Sequence, residues 1–178
     1  MEIRTPSEAR SLFRSSCVPR DEFRDRERSR GEYLISTNDS RLDFAIVHGF
    51  LKGSYWAVGI PEEVARHSME NSLVFGVYRD EEQAGFARVV TDPATFAYLA
   101  DVFIVEAHRG MGLGKWLMQV ILSHPELQGT RRWMLATRDA HGLYREYGFT
   151  ALGDPASSWS ERRFLRSLTK PAKFTAVS

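Results

Sequence analysis

The chain has 178 residues, a length for one domain with at most a short extension. Hydrophobic residues make up 43% and charged residues 26%, which excludes a wholly disordered or fibrous chain. Lys and Arg total 24 against 23 Asp and Glu, so the formal net charge is +1. That balance argues against a nucleic-acid partner, which would call for a concentrated positive field.

Cys17 is the only cysteine, which excludes an internal disulfide and a cysteine-based zinc site. His48, His67, His108, His124 and His141 show no close ligand spacing, so no metal is expected. No stretch approaches the roughly 18–20 apolar residues of a membrane span, so no membrane partner is expected either. The first residues, Met-Glu-Ile-Arg-Thr-Pro, lack the apolar core of a signal peptide, and a cytoplasmic location is the expectation.

Arg20 to Arg30 is almost all charge of mixed sign and reads as a solvated tail or exposed helix. Residues 1–31 are therefore expected to be an N-terminal extension, 32–168 the folded domain and 169–178 a C-terminal tail. Tyr33 to Thr37 reads as a short first strand. Phe44, Val47 and Leu51 recur at helical spacing and predict a helix over Asp43 to Lys52. Pro61 followed by Glu62 and Glu63 suits a second helix start, with proline at the first helical position and acids in the first turn. Leu73 to Tyr78 and Ala84 to Thr91 predict an antiparallel hairpin turning at Asp80 to Gln83. Phe96 to Val105 is a further apolar run, expected to be a central strand.

Arg109-Gly110-Met111-Gly112-Leu113-Gly114-Lys115 follows it. Trp116, Leu117, Val120 and Ile121 then mark an amphipathic helix that should stop near Pro125. Trp133 to Thr137 predicts a strand. Asp139 is the expected N-cap of a short helix ending at Tyr147-Gly148. Strands near Phe149 to Leu152 and Glu161 to Leu165 would close the sheet as a hairpin. The resulting fold class is α+β, a mixed α/β sheet flanked by helices.

The strand–glycine-turn–helix segment from Asp101 to Lys115 carries the chemistry. Glycines leave backbone N–H groups uncovered, and a helix N-terminus carries partial positive charge, so the turn suits a phosphate or pyrophosphate. A P-loop is excluded because Arg109 stands where its first glycine belongs and Trp116 replaces the magnesium-binding hydroxyl. A dinucleotide fingerprint is excluded because Lys115 occupies the place of its third glycine. The absent hydroxyl also argues against a magnesium-dependent nucleotide enzyme.

Arg109-x-x-Gly112-x-Gly114 after Val102-Phe103-Ile104 resembles the acyl-CoA-binding motif of the GNAT family of N-acetyltransferases. Leu143-Tyr144-Arg145-Glu146-Tyr147-Gly148-Phe149 resembles that family's late helix-to-strand signature. The resemblance spans roughly residues 32 to 168 and implies a GNAT-like fold that uses acetyl-CoA as cosubstrate. It implies that Arg109, Gly110, Met111, Gly112, Leu113, Gly114 and Lys115 hold the pyrophosphate, mostly by backbone. Val102, Phe103 and Ile104 would pair with the pantetheine arm and polarise the thioester carbonyl. Tyr144 would be the general acid toward the departing thiolate. Thr137 stands where many relatives place a cofactor-touching asparagine. Some relatives carry a glutamate base where Arg132 stands here, so Asp101, in an apolar strand, is the candidate base.

His141 is a lesser site candidate, and His108 is expected to flank the loop from outside. Tyr55, Trp56, Phe86 and Trp159 are candidate walls of the acceptor pocket. The implied reaction is direct acetyl transfer to a primary amine, on a small molecule or a peptide, in a ternary complex. The alternative is a non-catalytic acyl-CoA-binding or regulatory module on the same fold. A homodimer is expected by family analogy alone.

Overall fold

A computed structural model describes residues 26–151 and 173–177. The chain opens with a hairpin of β1 (Glu27–Arg30) and β2 (Tyr33–Ser36), turned at Gly31 and Glu32. Helices α1 (Phe44–Gly53) and α2 (Glu62–Glu70) follow, then strands β3 (Leu73–Arg79), β4 (Glu82–Thr91) and β5 (Phe96–Ile104). Helix α3 (Leu113–Leu122), strand β6 (Arg132–Ala136), helix α4 (His141–Arg145), β7 (Thr150–Ala151) and β8 (Lys173–Val177) complete the described elements. The strands form one mixed sheet in the order β1-β2-β3-β4-β5-β6-β8-β7. Pairing is antiparallel from β1 to β5 and parallel from β5 onward. The expected α+β class with a mixed sheet is the one adopted.

Side chains alternate across the strands, so each face receives its own apolar set. On one face Phe75, Val77, Val89, Leu99 and Leu135 pack with Leu117, Ile121 and Trp116 of α3. On the other, Val74, Phe86 and Phe103 pack with Val47 and Leu51 of α1 and Met69 of α2. Helix α1 starts where expected because Asp43 Oδ1 accepts from the amides of Ala45 and Ile46, at 2.9 and 3.2 Å. Pro61 sits one residue earlier than expected, at the N-cap of α2, where its missing N–H costs nothing.

Two expectations change. Glu27–Arg30, assigned to a tail or exposed helix, is an edge strand, and its wholly exposed, charge-rich composition suits an edge. Residues 173–177, assigned to a tail, run as β8 between β6 and β7. Thr150–Ala151 pairs in parallel with β8. The strand expected near Glu161–Leu165 lies outside the described residues.

Two irregularities in β5 position everything that follows. Phe86 pairs with Phe103 and Arg88 with Ala100, so Ala87 faces both Asp101 and Val102, a β-bulge. Asp101 takes φ +54° there, a left-handed conformation unusual for a residue with a side chain. Gly85 permits the strands to close up again beyond the bulge. A Cβ on it would lie 2.8 Å from the Phe103 carbonyl oxygen. On its other edge, β5 pairs with β6 only from Phe96↔Arg132 to Leu99↔Leu135. Past Leu99 this pairing ends, which leaves a gap in the ladder along the edge of β5 from Ala100 to Ile104.

Candidate active site

The glycine turn lies at the end of this open strand edge. Gly110 and Gly112 have φ +80° and +72°, which L side chains rarely adopt. Gly112 is the N-cap of α3 and has no side chain to cap it. The first intrahelical bond runs from the Trp116 amide to the Gly112 carbonyl, at 3.1 Å. The amides of Leu113, Gly114 and Lys115 precede it and carry no intrahelical bond. They gather at the positive end of the helix dipole, where an anion is favoured.

The charged side chains of the turn are committed to neighbours. Arg109 Nε donates to the Ile104 carbonyl at 3.0 Å and ties the turn to the strand end. Lys115 Nζ pairs with Glu146 at 2.8 Å, and that carboxylate holds the ammonium pKa above its ordinary value. Tyr147 Oη donates to the Lys115 carbonyl at 2.8 Å. The turn therefore offers amides more readily than side-chain cations.

Asp101 is held from two sides. Arg88 Nε donates to Oδ2 at 2.5 Å and Trp56 Nε1 to Oδ1 at 3.1 Å. Arg88 also reaches Ser72 Oγ at 3.3 Å. The Asp101 side chain is 10% exposed, and Arg88, half-buried at 18%, is the cation that compensates its carboxylate in the apolar strand. Arg88 was the missed member, although its legible signal was a cation in the otherwise apolar β4.

Trp56 and its neighbour Tyr55 come from the loop after α1. Tyr55 Oη donates to Asp139 Oδ1 at 3.3 Å and accepts from the Arg138 amide at 3.0 Å. The Arg138 guanidinium lies 3.8 Å over the Tyr55 ring. One loop thus touches Asp101 of β5 and the segment after β6, bridging the two sides of the gap.

Tyr144 lies in α4, 7% exposed, with its ring edge-on to Phe149 at 5.9 Å. Burial, then the neighbouring Tyr55 and Asp139, push its pKa up to about 12. Thr137 Oγ1 accepts from the Ala140 amide at 3.0 Å and starts the turn into α4. That corrects the role expected of Asp139, which binds Tyr55 while Ala140 occupies the N-cap.

The other candidates separate. Phe86 is fully buried against Phe103, at 6.0 Å between rings, and is core rather than a pocket wall. Phe103 also stacks on Phe50 at 3.8 Å, so it offers the gap its backbone only. Tyr55 and Trp56, 38% and 42% exposed, stay candidates for that role. Trp159 lies outside the described residues. Arg132 is exposed at the start of β6, away from the gap end. His141 is half-buried at the first position of α4.

His108 is buried beside the turn, and Tyr33 Oη lies 3.0 Å from its Nδ1. Tyr33 Oη also reaches Met111 Sδ at 3.1 Å, and Arg30 Nη2 donates to the Met111 carbonyl at 3.0 Å. Tyr33 and Arg30 were missed as site neighbours because only the fold brings them to the turn. No cluster of three metal-ligating side chains occurs among the described residues. No helix there is long and apolar enough to cross a membrane.

Residues 38–149 match the model of the acetyltransferase (GNAT) family. A Gibberella zeae protein named as a putative acetyltransferase is 32% identical over 139 residues, covering 65% of this chain and 77% of its own length. A Xanthomonas campestris pv. campestris crystal structure, described as a putative acetyltransferase of the GNAT family, is 44% identical. It covers 76% of this chain and 95% of its own, with a TM-score of 0.67. A putative acetyltransferase from Deinococcus radiodurans R1 is 22% identical with a TM-score of 0.56, covering 78% and 91% of the two chains, a likeness of fold alone.

Proposed function

This chain belongs to the GNAT family of acetyltransferases, and on that basis we propose that it transfers an acetyl group from acetyl-CoA to a primary amine by direct attack. The observation that carries the reading is contiguity. The amides that open α3 and the unpaired edge of β5 meet at Ile104 to Arg109, so a pyrophosphate and an extended thioester arm fit one continuous surface.

In this reading the amides from Gly110 to Lys115 take the pyrophosphate, and the edge from Val102 to Ile104 takes the arm. An amide on that edge also donates to the carbonyl oxygen as it gains charge during attack, an effect worth roughly 3 kcal/mol per donor. The amine nitrogen forms the new bond to the acetyl carbon, and the carbon–sulfur bond breaks. The proton lost by the amine goes to Asp101, directly or through water. Tyr144 supplies the proton to the leaving sulfur. It is the neutral phenol at neutral pH, its pKa pushed up to about 12 by burial, and the proton passes to the sulfur as negative charge develops there on breaking of the carbon–sulfur bond. Tyr55 and Trp56 wall the acceptor side, and the acceptor is a small-molecule or peptide amine.

A non-catalytic acyl-CoA-binding module is the second reading. The observation in its favour is that both Asp101 oxygens already accept hydrogen bonds, from Trp56 and Arg88. Thiol release from acetyl-CoA across a panel of primary amines separates the two. Amine-dependent release that falls in Asp101→Asn supports the enzyme with Asp101 as base. CoA binding without release from any amine favours the module.

A further inference from the structure

We propose that the β1–β2 hairpin is part of the acyl-CoA site, with Arg30 as a positioning residue for the pyrophosphate-binding turn and Tyr33 as its second strut. The inference rests on the acyl-CoA reading above and adds two residues that precede the family-matched span of 38–149.

Arg30 and Tyr33 are register partners on either side of the Gly31 turn, so their side chains share one face of the hairpin. Both point at the same short segment. Arg30 Nη2 donates to the Met111 carbonyl at 3.0 Å, and its guanidinium lies 5.0 Å over the Trp116 ring. Tyr33 Oη contacts His108 at 3.0 Å before the glycines and Met111 Sδ at 3.1 Å between them. One hairpin tip therefore holds the turn at its entry, its middle and the first turn of α3.

The Met111 contact has a directional effect. The trans peptide is planar, so the carbonyl of Met111 and the N–H of Gly112 point opposite ways. Holding that carbonyl against the hairpin aims the Gly112 amide away from it, toward the side open to a ligand. Gly112 at φ +72° has no side chain to fix this plane, and glycine is the residue most free to let it rotate. Arg30 supplies the missing restraint. Its guanidinium suits the task better than an ammonium, because it donates to a carbonyl while stacking on an indole.

The test compares full-length wild type with Arg30→Ala, Arg30→Lys, Tyr33→Phe and Arg28→Ala. Calorimetry gives the Kd for CoA, and steady-state kinetics give kcat with separate KM values for acetyl-CoA and amine. Arg28, exposed on the same strand, donates to the Glu27 carbonyl and makes no hydrogen bond to the turn among the described residues, so it controls for loss of charge. Arg30→Ala is expected to raise the CoA Kd and acetyl-CoA KM about tenfold, leaving kcat and the amine KM unchanged. Arg30→Lys should recover part of the loss, Tyr33→Phe should cost about threefold, and Arg28→Ala should match wild type.

Equal Kd values for wild type and Arg30→Ala overturn the inference, as does an equal loss in Arg28→Ala. So does a general fall in kcat and melting temperature without a selective rise in acetyl-CoA KM. A wild type that fails to bind CoA overturns the acyl-CoA reading itself, and this inference with it.

Discussion

Tyr144 is a core side chain that the proposed reaction also uses as its acid. Its ring packs on Phe149, and the same burial that stabilises it keeps the phenol protonated, with a pKa pushed up to about 12. Tyr144→Phe keeps the packing and removes the proton. It is expected to lower kcat about 100-fold with little change in acetyl-CoA KM, read by thiol release. Unchanged kcat would remove Tyr144 from the chemistry. His124 is a different case. It is 3% exposed, edge-on to Phe75 at 5.6 Å, and neither ring nitrogen has a partner among the described residues. Burial, then Arg26 and Arg28, lower its pKa from 6.5 to about 4. Between those values the unfolded chain binds a proton that the folded one refuses, so stability rises with pH. That contribution is fully present above pH 6.5 and is lost as pH falls toward 4. The melting temperature should drop across that window, and His124→Leu should flatten the drop.

Periodicity made most elements legible before the fold was known. Helix α1, strands β3 to β5 and helix α3 carry apolar spacing that matches their burial, and Asp43 caps α1 as its type predicts. Strand β1 was illegible because Glu-Arg-Ser-Arg buries nothing and has no alternation to read. It exists because β2 accepts it across the Gly31 turn. Asp101 was legible as costly but not as paired, since Arg88 lies 13 residues away and reaches it only across the bulge, where Arg88 pairs with Ala100 and Asp101 is the next residue. Asp139 looked like a cap, but Thr137 reaches the Ala140 amide first. The glycine turn was the most legible element, because its composition has few other uses. Gly112→Ala tests that dependence. Space around the new Cβ is open apart from Arg30 Nη2 at 3.7 Å, so the cost is the φ of +72°. The variant should lose roughly 1–2 kcal/mol in denaturant unfolding and bind CoA more weakly. Full stability with wild-type CoA affinity would show that the turn does not need its left-handed residue.

The layout brings these parts side by side. Helices α1 and α2 cover one face of the sheet and α3 the other, which leaves the gap in the ladder between β5 and β6 as the opening between layers. The glycine turn closes one end of that opening, and the loop carrying Tyr55 and Trp56 spans it. A net charge of +1 gives little long-range attraction, so affinity for an anionic ligand must come from local amides. Thermal unfolding with acetyl-CoA, CoA, ATP–magnesium and NAD puts this to the test without knowledge of the acceptor. Acetyl-CoA and CoA should each raise the melting temperature, since a ligand at a hundredfold excess over its Kd adds about 2.7 kcal/mol of stability, while ATP–magnesium and NAD should not. No rise with millimolar acetyl-CoA or CoA, or an equal rise with ATP–magnesium, would contradict the assignment of the turn and the unpaired strand edge to an acyl-CoA.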